Sequence, residues 1–128
     1  MKKYEFRRVR WSLKATMHLK LTMSNDPAVN LDWLKMQVER ERFVLAGVYQ
    51  DRERIGSVVL DVDGRDMVVV AAGGSGTRLY HDIAPSLRKL AEMWGCSAIR
   101  VHAQTLAVDR LLRSVGFGWA ETIRRMAV

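Results

Sequence analysis

The chain has 128 residues, of which 48% are hydrophobic and 27% charged, enough apolar material for the core of one compact domain over residues 1–128. Two prolines and nine glycines exclude collagen-like and linker-like proteins, and the longest uncharged stretch, residues 67–77, is shorter than the roughly 20 apolar residues of a membrane-spanning helix. A single cysteine, Cys96, excludes a disulfide framework, so we expect a cytoplasmic protein. We also expect that the protein binds neither a membrane nor a metal.

The net charge of +7 is concentrated at the start of the chain. Residues 1–25 carry seven basic side chains and one acidic side chain, which leaves a charge of only +1 for the rest. Such a segment could attract nucleic acid, cofactor phosphates or acidic partners. Because the basic residues alternate with apolar ones, we favour a solvated basic face and expect weak, non-specific binding to nucleic acid.

The first elements carry conflicting signals. Apolar and polar residues alternate over residues 9–23, which predicts a half-buried strand, yet most of these residue types favour a helix. We therefore predict extended structure for residues 4–13 and leave residues 14–23 open. After a turn at residues 24–27, the apolar spacing predicts a helix from an N-cap at Asn30 through about Arg42.

Three strands follow, at residues 43–49, 55–62 and 67–72. A turn separates the first two, and Asp63-Gly64 is a strong hairpin signal between the second and the third. We predict an antiparallel meander. The third strand does not alternate, which indicates burial on both faces.

A glycine-rich segment at residues 73–77 is predicted to break the third strand. The next helix is placed with its N-cap at Asp82, Pro85 in its first turn and Gly95 at its end. The alternative is a helix that begins nearer Thr77 and kinks at Pro85. A strand at residues 98–103, parallel to the strand at 67–72, a helix from Thr105 to Gly116, and a final strand over residues 117–128 complete the pattern.

This order of elements resembles the GNAT superfamily of acyl-CoA-dependent N-acetyltransferases over residues 42–120. The pieces that carry the resemblance are RIGSVV at 54–59, AEMWGC at 91–96 and LLRSVGF at 111–117. The resemblance implies an α/β (α+β) fold in which a mixed, mostly antiparallel sheet is flanked by helices, with a parallel strand pair around the central helix. Short, diverged members of this fold also occur in phages, some as non-catalytic virion components.

The resemblance also implies acetyl-CoA as cosubstrate, with its pyrophosphate on backbone N–H groups at the start of a helix. The family pattern there is Gln/Arg-x-x-Gly-x-Gly/Ala. Gly74 and Gly76 have the glycine spacing, whereas Ala71 stands in place of the Gln or Arg. A glycine linker without a ligand remains the alternative. The candidate cofactor-binding residues are Val70, Ala71, Ala72, Gly73, Gly74, Ser75, Gly76, Thr77 and Arg78.

Catalytic candidates are fewer. Leu112 occupies the position of a tyrosine that in the family often protonates the leaving thiolate, and it cannot donate a proton. His102, at the end of its strand, is a candidate base, and Tyr80, after the glycine segment, is a candidate proton donor. Each also has a purely structural alternative. Among the carboxylates Asp61, Asp63 and Asp66, the last two are better interpreted as turn residues.

Three functions remain in order of preference. The first is acetyl transfer from an acyl-CoA to an amine, the second a non-catalytic structural or interaction protein of the same fold, such as a phage virion component, and the third a basic nucleic-acid-binding protein. Homo-oligomer formation is compatible with all three.

Overall fold

The computed structural model describes residues 4–20, 31–74, 79–102, 118–120 and 123–127. These residues form three helices and seven strands. The helices are α1 (Leu13–Lys20), α2 (Leu31–Glu39) and α3 (Leu79–Met93). The strands are β1 (Glu5–Arg8), β2 (Val44–Gln50), β3 (Glu53–Asp63), β4 (Asp66–Gly74), β5 (Ala98–His102), β6 (Gly118–Ala120) and β7 (Ile123–Ala127).

Hydrogen-bonded strand neighbours follow the order β1-β2-β3-β4-β5-β7-β6. The described residues divide into two compact units, one of Met1–Asp61 with Ala71–Thr77 and one of Val62–Val70 with Arg78–Val128. The predicted mixed, mostly antiparallel sheet with helices is confirmed. No helix among the described residues has the length and apolar character to cross a membrane.

The first unit contains β2 and most of β3, the first two strands of the predicted meander, and one further strand. Strand β1 pairs antiparallel with β2, from Glu5 opposite Tyr49 to Arg8 opposite Ala46. Strand β2 pairs antiparallel with β3, and a bulge in this register places Tyr49 opposite Arg54 and Val48 opposite Gly56. A bulge of this kind bends the strand and turns side chains locally.

Helix α1 settles the conflict over residues 14–23 in favour of helical propensity for the part that is described. Ala15 and Leu19, four positions apart and therefore on one helical face, are both 0% exposed. Leu13 and Met17, the other apolar residues of the alternating pattern in α1, are 75% and 61% exposed. Only every second apolar residue of the alternating pattern therefore faces the core, and residues 21–30 lie outside the described residues.

Helix α2 ends at Glu39, three residues before the predicted end. Glu41 takes the left-handed conformation with a φ of 60°, and the Arg42 N–H donates to the Gln37 carbonyl at 2.9 Å. This left-handed residue reverses the chain and stops the helix. The predicted N-cap, Asn30, lies outside the described residues.

In the second unit, β4 and β5 are parallel, as predicted, with Asp66 opposite Ala98 and Val69 opposite Val101. Strand β7 pairs antiparallel with both β5 and β6, so the predicted final strand is in fact two. The predicted helix from Thr105 to Gly116 lies outside the described residues.

Helix α3 begins at Leu79, so the prediction of an N-cap at Asp82 is wrong. Pro85 lies inside the helix, where its ring nitrogen cannot donate to the carbonyl four residues earlier. Burial explains why the helix continues through it: Ile83, Leu87 and Ala91, spaced by four, are at most 1% exposed. Gly95, with a φ of 74°, ends the helix as predicted.

Candidate functional site

The segment predicted to bind the cofactor begins in β4. Its parallel register with β5 runs from Asp66 to Val69, whereas β4 itself continues to Gly74. Ala71 and Ala72 in this extension are 8% and 3% exposed. The prediction of a strand broken from Gly73 onward is therefore corrected, because both Gly73 and Gly74 belong to β4. Ser75, Gly76, Thr77 and Arg78 lie outside the described residues.

Gly74 is in β4 because no larger residue fits there. A Cβ atom at this position would lie 2.4 Å from the carbonyl oxygen of Ile55 and 2.8 Å from the Cα of Gly56. Both atoms belong to the backbone of β3 and cannot move aside without disturbing the sheet. Gly74 therefore permits the end of β4 to approach β3 closely.

For the two predicted catalytic residues, the structure describes the position of the backbone only. Tyr80 is the second residue of α3, and His102 is the last residue of β5. His102 follows Val101, which is opposite Val69 in β4. Their side chains lie outside what the structure describes, and both residues stay predictions.

The carboxylate candidates Asp63 and Asp66 flank the hairpin turn and bind the same guanidinium. Asp63 and Asp66 each form an ion pair with Arg100 of β5, the Asp66 pair at 3.2 Å from Arg100 Nε. Asp66 and Arg100 are 18% and 26% exposed, whereas the Asp63 side chain is 70% exposed. These two carboxylates stabilise the start of β4, at the other end of the strand from Gly74, which supports their interpretation as structural residues.

A polar cluster that sequence reasoning missed joins α1 to β3 in the first unit. It consists of His18, Arg54 and Ser57. The Ser57 Oγ lies 2.9 Å from His18 Nδ1, and an Arg54 terminal nitrogen donates to the same Oγ at 2.9 Å. Ser57 is 0% exposed, and His18 and Arg54 are half-buried.

The donor and acceptor inventory of this cluster relates the tautomer of the imidazole to Ser57. A guanidinium can only donate, so Ser57 Oγ accepts from Arg54. In the tautomer with its hydrogen on Nε2, His18 Nδ1 accepts the hydroxyl hydrogen of Ser57. Burial lowers the pKa of the His18 imidazole below its usual value, and the positive charges of Arg54 and Lys14 lower it further.

Glycine at position 47 makes room for Arg54. Gly47 is opposite Ser57 in the β2–β3 register, and a Cβ atom there would lie 2.8 Å from Tyr49 Cε2 and 3.1 Å from Arg54 Nε. The Arg54 Nε atom is buried and has no hydrogen-bond partner in the described structure. The Arg7 guanidinium lies 4.9 Å from the centroid of the Tyr49 ring, on the neighbouring strand.

The cluster was missed because α1 could not be placed from the sequence. Residues 14–23 are left open by the sequence, so His18 has no predicted face or partner, and Arg54 and Ser57 contribute only to the motif at residues 54–59. The signal that identifies the face of α1 is the pair Ala15 and Leu19, which lie four positions apart and are both buried. Among the described residues, no group of three or more His, Cys, Asp or Glu side chains is placed to hold a metal ion.

A separate groove of about 610 Å³ lies at the start of β2. It contains none of the predicted site residues, and two arginines and two glutamates contribute to its walls. Its lining residues are Arg8, Val9, Arg10, Trp11, Val38, Glu39, Glu41, Phe43 and Leu45.

The architecture of this chain matches a fold that is known from solved structures. No family model matches the chain, and no curated protein matches its sequence. Solved structures do match over nearly the whole chain. A Bacillus subtilis acetyltransferase in complex with CoA shares 12% identity with a TM-score of 0.72, and the match covers 100% of this chain and 99% of that one.

Two further solved structures also match nearly the whole chain. A GNAT family acetyltransferase from Elizabethkingia anophelis with acetyl-CoA bound shares 11% identity with a TM-score of 0.73, covering 98% of each chain. An IAA acetyltransferase from Bacillus cereus shares 15% identity with a TM-score of 0.70, covering 98% of this chain and 100% of that one. At this level of identity the likeness concerns the fold.

Proposed function

We propose that this chain, which has the fold of the GNAT acetyltransferases, transfers an acetyl group from acetyl-CoA to an amine. The observation that carries the proposal is that β4 continues through Gly74, beyond the parallel register with β5 that the described residues form. Backbone N–H and carbonyl groups of such an extension are suited to bind an extended amide-containing arm in the manner of an added strand. CoA has an arm of this kind.

Residues 70–78 fit this role by position and composition. Val70, Ala71 and Ala72 carry small or medium apolar side chains, so the backbone is the main source of polar contacts in this part of β4. Arg78 adds one positive charge just before α3 begins at Leu79. A helix N-terminus attracts phosphate through its unpaired N–H groups and its dipole, so the residues leading into α3 are assigned to the pyrophosphate.

The acetyl-CoA thioester would supply the activated acetyl group, and the chain's own residues would position the amine and move its proton. We assign His102 as the base that accepts the proton of the attacking amine, since an imidazole titrates near neutral pH. Tyr80 is assigned as the donor toward the leaving thiolate. Leu112 cannot perform that second step.

Binding of acetyl-CoA is the direct test. Isothermal titration and thermal unfolding of the wild-type chain should show saturable heat and a raised melting temperature, since ligand at 100 times its dissociation constant adds about 2.7 kcal/mol of stability. His102→Asn should retain acetyl-CoA binding and lose acetyl transfer to an amine panel read by mass spectrometry. Lys35→Gln, an exposed change on α2, is the matched control and should alter neither.

The second candidate is a non-catalytic protein of the same fold. Ala71, at the position of the family's Gln or Arg, is 8% exposed and has no side chain that could reach a phosphate. This residue favours loss of cofactor binding. If millimolar acetyl-CoA gives neither heat nor a thermal shift, the acyltransferase proposal fails and the structural or interaction role takes its place.

A further inference from the structure

We propose that Lys14 and His18 of α1 form a subsite for a carboxylate of the acceptor substrate, with Ser57 and Arg54 as positioning residues behind His18. The subsite deepens the proposed acyltransferase and rests on it for its place in the reaction. It predicts that the acceptor amine carries a negatively charged oxygen group.

The imidazole provides the first donor. The subsite uses the tautomer in which Ser57 Oγ donates to His18 Nδ1, so that the hydrogen of the neutral ring is on Nε2, the nitrogen that does not contact Ser57. His18 is half-buried, so the residue keeps part of its surface accessible to solvent. An N–H held in place by a buried hydroxyl is pre-organised for an oxygen acceptor, which lowers the entropy lost on binding.

The ammonium of Lys14 provides the second donor. Lys14 precedes His18 by four positions in α1, which places both on the same helical face. Lys14 is exposed and free to reach an incoming group, and a carboxylate has two oxygens to accept from the two side chains.

Charge favours an anion at this position. Among the described residues, the charged groups that act on His18 are Arg54 and Lys14, and both are positive. Arg54 donates a hydrogen bond to Ser57, and its Nε lies over Gly47, where the absence of a side chain leaves room for it. The positive charge of Arg54 is therefore fixed behind the imidazole ring. A carboxylate beside Lys14 and His18 would offset this positive potential, whereas a second cation would increase it.

The cluster also lies next to the end of β4. Gly74 packs against the backbone of Ile55 and Gly56, the two residues of β3 between Arg54 and Ser57. The subsite is therefore adjacent to the point where the proposed cofactor segment continues from β4. An acceptor held here by its carboxylate would have its amine near that segment.

The test is an equilibrium titration that requires no turnover. The wild-type chain with isotope-labelled histidine is titrated at constant ionic strength with N-acetylglycine and, separately, with N-acetylglycinamide, and the His18 ring resonances are followed by NMR. We expect a saturable shift of the His18 Nε2 resonance with the acid only. Lys14→Gln should weaken that binding by about fivefold, the effect of removing one exposed charge partner. Lys35→Gln, also exposed but on α2, should leave it unchanged.

The results separate this proposal from the previous one. Equal shifts with the acid and the amide, or no shift with either at millimolar concentration, would overturn the subsite. His18→Gln, checked by its backbone NMR spectrum for an intact fold, should abolish the preference for the acid. A chain that binds N-acetylglycine at His18 but gives no heat with acetyl-CoA retains the carboxylate subsite and loses the acyltransferase function.

Discussion

His18 Nδ1 lies 2.9 Å from the Oγ of Ser57, a residue 39 positions away in the sequence. This contact ties a helix near the start of the chain to the third strand of the sheet. Burial and the positive charge of Arg54, which donates to the same Oγ, lower the pKa of His18 and so favour the neutral imidazole.

We expect Arg54→Met to raise the pKa of His18. The change removes a nearby positive charge, one of the causes that lower this pKa, while keeping a long apolar stem. The measurement is an NMR pH titration of the His18 ring. Arg40→Met, an exposed change at the end of α2, is the control and should leave the titration unchanged.

The same pKa shift has a consequence for stability. A histidine whose folded pKa lies below its unfolded pKa contributes stability fully above the unfolded value of about 6.5, and this contribution is lost as pH falls toward and through the folded pKa. The free energy of unfolding should therefore fall on acidification from pH ~7, and His18→Gln should flatten part of that slope in denaturant titrations. An unchanged slope would contradict the assignment of a neutral, partly buried imidazole.

Gly74→Ala should destabilise the chain by about 1–3 kcal/mol, because its Cβ would meet the β3 backbone at 2.4 Å. Gly64→Asn is the matched control. Gly64 has a φ of 61° with no atom within 4 Å of an added Cβ, and asparagine tolerates this left-handed conformation. Urea unfolding should show a large loss for the first variant and a small one for the second. Equal losses would mean that the close approach to β3 does not determine stability.

The sequence predicted the sheet well because its signals are local. Asp63-Gly64 marks the hairpin, with Gly64 at a φ of 61°, and the spacing of strand, helix and strand after Gly73 implies the parallel pair. It failed at α1, where alternation and helical propensity disagree. Tertiary burial of Ala15 and Leu19 decides that conflict, and burial is not visible in a period-two pattern.

The polar cluster of His18, Arg54 and Ser57 shows a second limit of prediction from the sequence. Arg54 and Ser57 were noted for their strand motif, but their partner His18 comes from an element whose face was unknown. A contact across 39 positions depends on how α1 packs on the sheet, and no local pattern in the sequence encodes it. His102 and Tyr80 are predicted from their place in the order of elements, which local signals do supply, and their roles stay predictions.

Pro85→Ala should stabilise α3. Pro85 is exposed and interior to the helix, so alanine would restore a missing N–H donor without creating a cavity. Helix propensity alone gives an upper estimate of about 3 kcal/mol. Lys89→Ala, one turn later and also exposed, should change thermal stability by only a few tenths of a kcal/mol. A destabilised Pro85→Ala variant would show that the ring makes contacts worth more than the hydrogen bond.

The two aspartates on Arg100 should differ in their contribution to stability. Asp66→Asn should cost about 1–2 kcal/mol, because Asp66 is 18% exposed and its loss leaves a largely buried guanidinium with less compensation. Asp63→Asn should cost less than about 0.5 kcal/mol, since the Asp63 side chain is 70% exposed. Denaturant unfolding of both variants gives the comparison, and an equal or reversed order would contradict the burial argument.

Binding of the basic first segment to nucleic acid should be weak and should disappear near physiological salt. Arg7 is engaged by Glu5 at 3.0 Å and by the Tyr49 ring, and Arg8 and Arg10 share the groove at the start of β2 with Glu39 and Glu41. These contacts reduce the charge that the three arginines offer to phosphates, and the remaining affinity should fall as salt rises, through loss of counterion release. Fluorescence anisotropy with labelled duplex DNA measures that dependence.

The double variant Glu39→Gln, Glu41→Gln should bind more tightly at low salt, because it removes the two groove carboxylates. A wild-type complex that survives about 0.2 M salt would contradict this and would favour the nucleic-acid-binding function instead.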